Sequence, residues 1–104
     1  MEREIKIYVD GQNIKLEQDE AIVRGSKGYL KCRCVFSDEW KELKKILVFS
    51  NEYGFKQEYA EPVIDDLCRI PDEVTDGRRI YIKAVGRNGN VAITTRACAL
   101  NQEG

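Results

Sequence analysis

The sequence contains no histidine. That removes the commonest general base and the commonest side-chain metal ligand together. Ser–His and Cys–His nucleophile pairs go with it. No sign of charge dominates: 17 Lys and Arg stand against 18 Asp and Glu, a net charge of −1 over 104 residues, and no basic run exceeds two residues. Such a chain has no electrostatic grip on a phosphate backbone, so no nucleic-acid partner is expected. Long hydrophobic runs are missing too. Nothing approaches the roughly 18 apolar residues of a membrane span, and no membrane partner is expected. The opening MEREIKIYVD is charged and lacks the apolar core of a signal peptide. Synthesis in a cytosol is therefore expected, with Cys32, Cys34, Cys68 and Cys98 reduced. No internal repeat, low-complexity tract or linker divides the chain, which predicts one domain over residues 1–104.

What is present is globular composition, 42% hydrophobic and 34% charged. REIKIYV (3–9) alternates, with Ile5, Ile7 and Val9 on one side and Lys6 and Tyr8 on the other. Asp10-Gly11 follows as a turn signal, so residues 4–17 read as a hairpin. AIV (21–23) reads as a short strand and RGSKG (24–28) as a loop. YLKCRCVF (29–36) is the most regular strand, with Leu30, Cys32, Cys34 and Phe36 inward and Tyr29, Lys31, Arg33 and Val35 outward. KILVFS (45–50) is a strand by its β-branched and aromatic content. NEYG (51–54) reads as a hairpin turn into FKQEYA. LCRI (67–70) is a strand stopped by Pro71, and PDEV a single turn with Pro71 at its first position. RRIYIKAVG (78–86), an Asn88-Gly89 hairpin turn and a final strand VAITTRACAL (91–100) complete the chain. About seven or eight short antiparallel strands, with turn signals every eight to twelve residues, predict an all-β immunoglobulin-like sandwich.

Between two of these strands lies FSDEWKELKK (36–45). Ser37 is a candidate helix N-cap, with Asp38 and Glu39 at the positive end of the dipole and Lys41, Lys44 and Lys45 at the far end. The third position is Trp40 rather than Glu or Gln, so no capping box forms. One or two helical turns over 38–44 are expected to cross between sheets, with Trp40 and Leu43 plugging the end of the core beside Phe36. The competing reading is one helix over 38–49.

Candidate chemistry is sparse. Asp38-Glu39, Asp65-Asp66 and Asp72-Glu73 are adjacent in sequence and tend to diverge on a strand, so no carboxylate dyad is indicated. The four cysteines could supply a four-sulfur zinc site, but only Cys32 and Cys34 are closely spaced. Reduced cysteine as a small buried hydrophobe is the better account, and no metal or cofactor is expected. GRNGN is a hairpin turn and not a phosphate cradle, because no helix follows it. The outward residues Tyr8, Tyr29, Val35 and Tyr81 are the candidate interface, on a face shared with Lys6, Lys31, Arg33 and Lys83.

Three patterns have a familiar order: Phe36-Ser37 followed by Trp40, then Ile70-Pro71-Asp72-Glu73-Val74, then GRNGNVAITT. Together they resemble the amino-terminal immunoglobulin-like domain of phage baseplate upper proteins and related phage tail proteins, over about residues 3–100. The chain ends at Gly104, where that family continues into further domains, and carries four cysteines that the pattern does not call for. The resemblance implies a non-enzymatic building block of a phage or prophage tail, made in the bacterial cytoplasm and carried in the virion tail. Its partners would be other tail or baseplate proteins, with assembly as a homo-oligomer. The alternative is a carbohydrate- or small-ligand-binding module using Tyr53 or Tyr81.

Overall fold

The computed structural model describes residues 3–17, 22–23, 30–52, 54–75 and 79–103. Strand β1 (Arg3–Asp10) turns into β2 (Asn13–Glu17), and β3 (Ile22–Val23) precedes the long β4 (Leu30–Phe36). A single 3-10 turn, η1 (Asp38–Trp40), leads into β5 (Lys44–Ser50). Then follow β6 (Tyr59–Pro62), β7 (Leu67–Arg69), a second 3-10 turn η2 (Asp72–Val74), β8 (Arg79–Asn88), β9 (Val91–Thr94) and β10 (Cys98–Glu103). The first sheet has the order β2-β1-β4-β7; the second has β3-β10-β8-β5-β6, with β9 also on β8. The two sheets form a β-sandwich of the expected immunoglobulin-like class, and no long helix spans 38–49.

The described residues form ten strands where about seven or eight antiparallel ones are expected, and two pairs are parallel: β1 with β4 and β3 with β10. Parallel neighbours need a crossover, and β2 with β3 provides it. β1 and β4 therefore start at the same end. The closing VAITTRACAL is also two strands. The split falls at Thr95, whose N–H donates to Ala84 O (2.9 Å) while its Oγ1 accepts from Ala84 N–H (2.9 Å). One threonine thus satisfies both backbone groups of Ala84, and the chain can step out of the ladder without leaving a buried donor unpaired.

Turn geometry corrects the register at both hairpins. Asp10 faces Asn13, and Asn88 faces Val91. The central pairs are therefore Gly11-Gln12 and Gly89-Asn90, with only the glycine left-handed (φ +58° in each). That is the type II′ pattern, with glycine first of the two central residues. A third tight turn, without glycine, carries the chain from β6 in the second sheet to β7 in the first. Asp65 and Asp66 take φ of +53° and +62°, and Ile64 and Leu67 exchange backbone hydrogen bonds of 2.9 and 3.0 Å. Asp tolerates the left-handed region better than most residues. NEYG does not make a tight hairpin: β5 ends at Ser50 and β6 begins only at Tyr59. Pro71 occupies the N-cap position of η2 and not the first helical one.

The core lies between the sheets. Ile5, Ile7, Val9, Cys32, Cys34 and Cys68 from the first meet Leu47, Phe49, Ile80, Ile82, Ala84 and Leu100 from the second. Trp40 and Leu43 lie in the core at the end where β4 crosses to β5, and Ile70 and Val74 at the end where β7 leads to β8. Trp40 is fully buried. Its Nε1–H donates to Gly11 O at 3.0 Å, and its ring lies 5.3 Å from the half-buried Phe36 ring. On the opposite strand, Gly86 leaves room for it: a Cβ there would come within 2.7 Å of the indole. Ser37 sits at the N-cap position but makes no cap hydrogen bond; its Oγ accepts from Gly11 N–H at 3.2 Å. The Phe-Ser-Asp-Glu-Trp segment thus ties the first hairpin turn to the sheet crossing. η1 ends before any lysine, and Lys45 instead donates to Leu43 O (3.2 Å) and lies over the Phe36 ring (5.4 Å).

Candidate protein-protein interface

The thiols belong to the core. Cys32 and Cys68 are direct cross-strand partners on β4 and β7, Cys34 lies two residues along, and Cys98 faces Ile82 from the second sheet. All four are unbridged. Burial, and then the neighbouring thiols of Cys34, Cys68 and Cys98, hold Cys32 well above the ordinary thiol range. Burial, with the Asp66 carboxylate second, pushes Cys34 up to about 12. Burial likewise raises Cys68, and it raises Cys98 to about 11. A thiol so held keeps its proton at neutral pH, and the thiolate is the reactive form. Among the described residues, no group of three or more Cys, Asp and Glu side chains converges to hold a metal ion.

The carboxylate pairs are spent locally. Asp38 and Glu39 are exposed on η1, and Asp65-Asp66 forms the β6–β7 turn. Asp72 pairs with Arg69 at 3.3 Å. No described helix is long and apolar enough to cross a membrane.

The two outer faces carry the remaining information. On the first sheet, strict alternation puts Lys6, Tyr8 and Asp10 of β1, Lys15 and Glu17 of β2, Lys31, Arg33 and Val35 of β4 and Arg69 of β7 outward. Both signs of charge are interleaved. Tyr8 and Val35 are register partners, 38% and 51% exposed. The Tyr8 hydroxyl donates to Glu17 Oε2 at 3.0 Å, and this hydrogen bond, with slight burial and the carboxylate charge, raises its pKa.

Across the second sheet the outward positions fall in rows. Pro62, Ile46, Val85 and Thr94 form one row from β6 through β5 and β8 to β9. Ala60, Val48 and Lys83 form the next; Ser50, Tyr81 and Ala99 another; Lys44, Arg87 and Ala92 a fourth. None of these strand positions carries a carboxylate. Val48 is only 5% exposed although it points away from the core. Its cross-strand partner Lys83 meets Glu58 (3.6 Å) and lies 4.4 Å above the Phe55 ring, so the β5–β6 connection shelters that end of the face. At the other end, Ile46 and Val85 are half-buried and Pro62 is exposed. A hollow of about 300 Å³ opens beside them, lined by Leu43, Lys44, Lys45, Ile46, Pro62 and Val63.

The structure therefore separates the residues grouped from sequence. Tyr8 and Val35 share one outer face, Tyr81 lies on the opposite one, and Tyr29 falls outside the described residues, as does Tyr53. Lys6, Lys31 and Arg33 lie with Tyr8, whereas Lys83 lies with Tyr81. The reason is topological: β1 and β4 belong to one sheet and β8 to the other, so inward alternation sends their outer residues in opposite directions. Tyr8 and Tyr81 therefore do not share a face.

Ile46, Pro62 and Val85 escaped the sequence reading, although a signal existed. A strand with one solvated face alternates, whereas Ile46-Leu47-Val48-Phe49 is apolar on both sides, the mark of a strand with both faces covered. No family model, curated protein or solved structure matches the chain.

Proposed function

We propose that this chain is a non-enzymatic assembly domain that docks onto other proteins, and that its setting is the tail of a phage or prophage. The observation that carries the docking role is the apolar row Pro62–Ile46–Val85 on the outside of the second sheet. β5 is built as a strand covered on both faces, yet among the described residues the shelter lies at its Val48–Ser50 end, while Ile46 stays half-buried. Contiguous apolar surface rimmed by polar groups is where proteins meet. The tail setting rests on the order of the Phe36-Ser37/Trp40, Ile70-Pro71 and GRNGN patterns. In the structure those segments build the β4–β5 crossing, the second 3-10 turn and the β8–β9 hairpin.

The test is biochemical. In the encoding strain, particles released after prophage induction are purified on a density gradient and blotted for this chain. Co-sedimentation with intact tails supports the reading. A chain found only in the particle-free fraction, while tail proteins sediment normally, overturns the tail setting. Val85→Lys should remove the chain from the particles without unfolding it. Retention of that variant at full level would remove the second sheet from the docking role.

A further inference from the structure

The docking role leaves the partner's chemistry open. The second outer face constrains that chemistry, and the constraint stands only if the docking role does. Three features coincide there. The row Pro62–Ile46–Val85 is fixed by the β6–β5–β8 ladder, with β6 as the edge strand, so its spacing exists before a partner arrives. The hollow of about 300 Å³ beside it is walled by Leu43, Ile46, Pro62 and Val63 and bordered by Lys44 and Lys45, with room for an apolar side chain of any size. Lys44 and Arg87 are direct cross-strand partners, cation against cation, both exposed, and neither has an ion-pair partner among the described residues. Like charges directly opposite on a sheet are destabilising. A carboxylate placed between them removes the repulsion and gains from the apolar ground alongside.

The same charges speak against a second copy of this face as occupant. Isologous pairing sets a patch against itself and would bring Lys44, Arg87 and the exposed Arg79 towards their own images. A lipid surface fits less well, since the apolar residues of the row are Pro, Ile and Val, short side chains borne on paired strands. Membrane-seeking surfaces present Trp, Phe or Leu that reach into the acyl boundary.

We propose that the outer face of β5 and β8 receives a segment of another protein, in which an apolar side chain filling the hollow between Ile46, Pro62 and Val63 is flanked by carboxylates that pair with Lys44 and Arg87. The recognition is an apolar anchor with an acidic rim, so affinity comes from the anchor and orientation from the charges.

A random peptide library displayed on a carrier and selected on the immobilised full chain tests this. The expected result is enrichment of peptides that carry Asp or Glu next to Leu, Ile, Val or Phe. A synthetic copy of the best sequence should bind about tenfold more weakly to Lys44→Gln/Arg87→Gln. Selection repeated on Lys44→Glu/Arg87→Glu should yield basic peptides instead, with native near-ultraviolet dichroism showing that the variant is folded. Peptides that depend on Val85 and Ile46 but carry no acid would overturn the charge rule and leave the docking role standing. No peptide dependent on this face would overturn both. Phosphatidylserine vesicles that bind the chain and lose it on Lys44→Glu/Arg87→Glu, with no peptide enriched, would assign the face to an anionic lipid surface. Sedimentation velocity showing a dimer abolished by Val85→Lys would assign it to a second copy. Either result sinks the proposal.

Discussion

The two outer faces of this sandwich are built from the same kind of strand and end up with opposite characters. On the first sheet, β1 and β4 alternate, and the outward positions hold Lys6, Tyr8, Asp10, Lys31, Arg33 and Val35. On the second, β5 and β8 put Ile46, Val48, Tyr81 and Val85 outside, and neither of these two strands carries a carboxylate, only Lys and Arg. A face with both charges interleaved is content in water. A face with an apolar row and one sign of charge is satisfied only by something that covers the row and neutralises the charge. Exposure of single residues misleads here. Val35 is 51% exposed and Val85 only half-buried, yet Val85 belongs to the row Pro62–Ile46–Val85, whereas Val35 has only Tyr8 as its apolar register partner, on a face where both signs of charge are interleaved.

Both faces are carried by one core, and the largest effect should come from breaking it. Trp40→Ala removes the buried indole at the β4–β5 crossing and leaves Gly11 O without its donor. A loss of about 3–5 kcal/mol is expected in urea unfolding, with both sheets melting in one transition. Separate transitions for the two sheets would show that each face rests on its own core. Gly86→Ala pushes a Cβ against the Trp40 ring and Leu43 and should cost about 1–3 kcal/mol by overpacking.

Thr95→Val is nearly isosteric but takes the acceptor from Ala84 N–H, a buried donor. The expected loss is about 1–3 kcal/mol, with amide exchange accelerating along β9 and the adjoining half of β8 before it does on β1 and β4. Uniform acceleration would mean that the second sheet is not locally dependent on this one side chain.

Titration of the buried thiols gives a pH dependence of known sign. The folded chain holds their protons beyond the ordinary value of 9.0, to about 12 for Cys34 and about 11 for Cys98. The unfolded chain releases them near 9.0. Unfolding therefore sheds protons in this range, and the contribution is complete below about pH 8 and declines as pH rises past 9.0. Each thiol contributes a slope of up to about 1.4 kcal/mol per pH unit. Cys34→Ala should flatten the decline in urea midpoint between about pH 9 and about pH 11. An unchanged slope would mean that Cys34 titrates as an exposed thiol.

The smallest effects on stability should be on the faces themselves. Val35→Lys and Val85→Lys are both expected to stay within about 0.5 kcal/mol of the parent. Only Val85→Lys should abolish docking. Equal loss of binding from the two would erase the distinction between the faces. Asp66→Gly, at a left-handed position, should change stability by less than about 1 kcal/mol, since the relief of the backbone is offset by the added freedom of the unfolded chain, and should leave both faces untouched.

Much of this architecture could be read along the chain, and the failures have physical causes. The alternation of Ile5, Ile7 and Val9 and of Cys32 and Cys34 announces two strands and their buried sides. Trp40 beside Leu43 announces a buried crossing, because a lone indole between two strand runs has few other places to go. The Asp65-Asp66 turn was hidden because left-handed residues without glycine carry no strong signal, so β7 could be recognised but not the turn before it. The break at Thr95 was hidden because the sequence of β9 and β10 is strand-like throughout, and a single hydroxyl bonded to Ala84 makes the interruption cheap. The docking face was partly legible in Ile46-Leu47-Val48-Phe49, but its partners Pro62 and Val85 come from strands whose neighbours only the sheet order reveals.

The sequence by itself determined that the chain folds as strands, which sides of β1 and β4 are buried, where glycine allows two tight turns, and that histidine chemistry is absent. Those properties live in neighbouring residues, where side-chain period and backbone sterics act over a few positions. Only the tertiary structure decided that Tyr8 and Tyr81 point away from each other, that Lys44 stands against Arg87, and that Ile46 lines up with Pro62 and Val85. Those relations depend on which strands become neighbours, and that choice is made by the burial of the whole core rather than by any one segment.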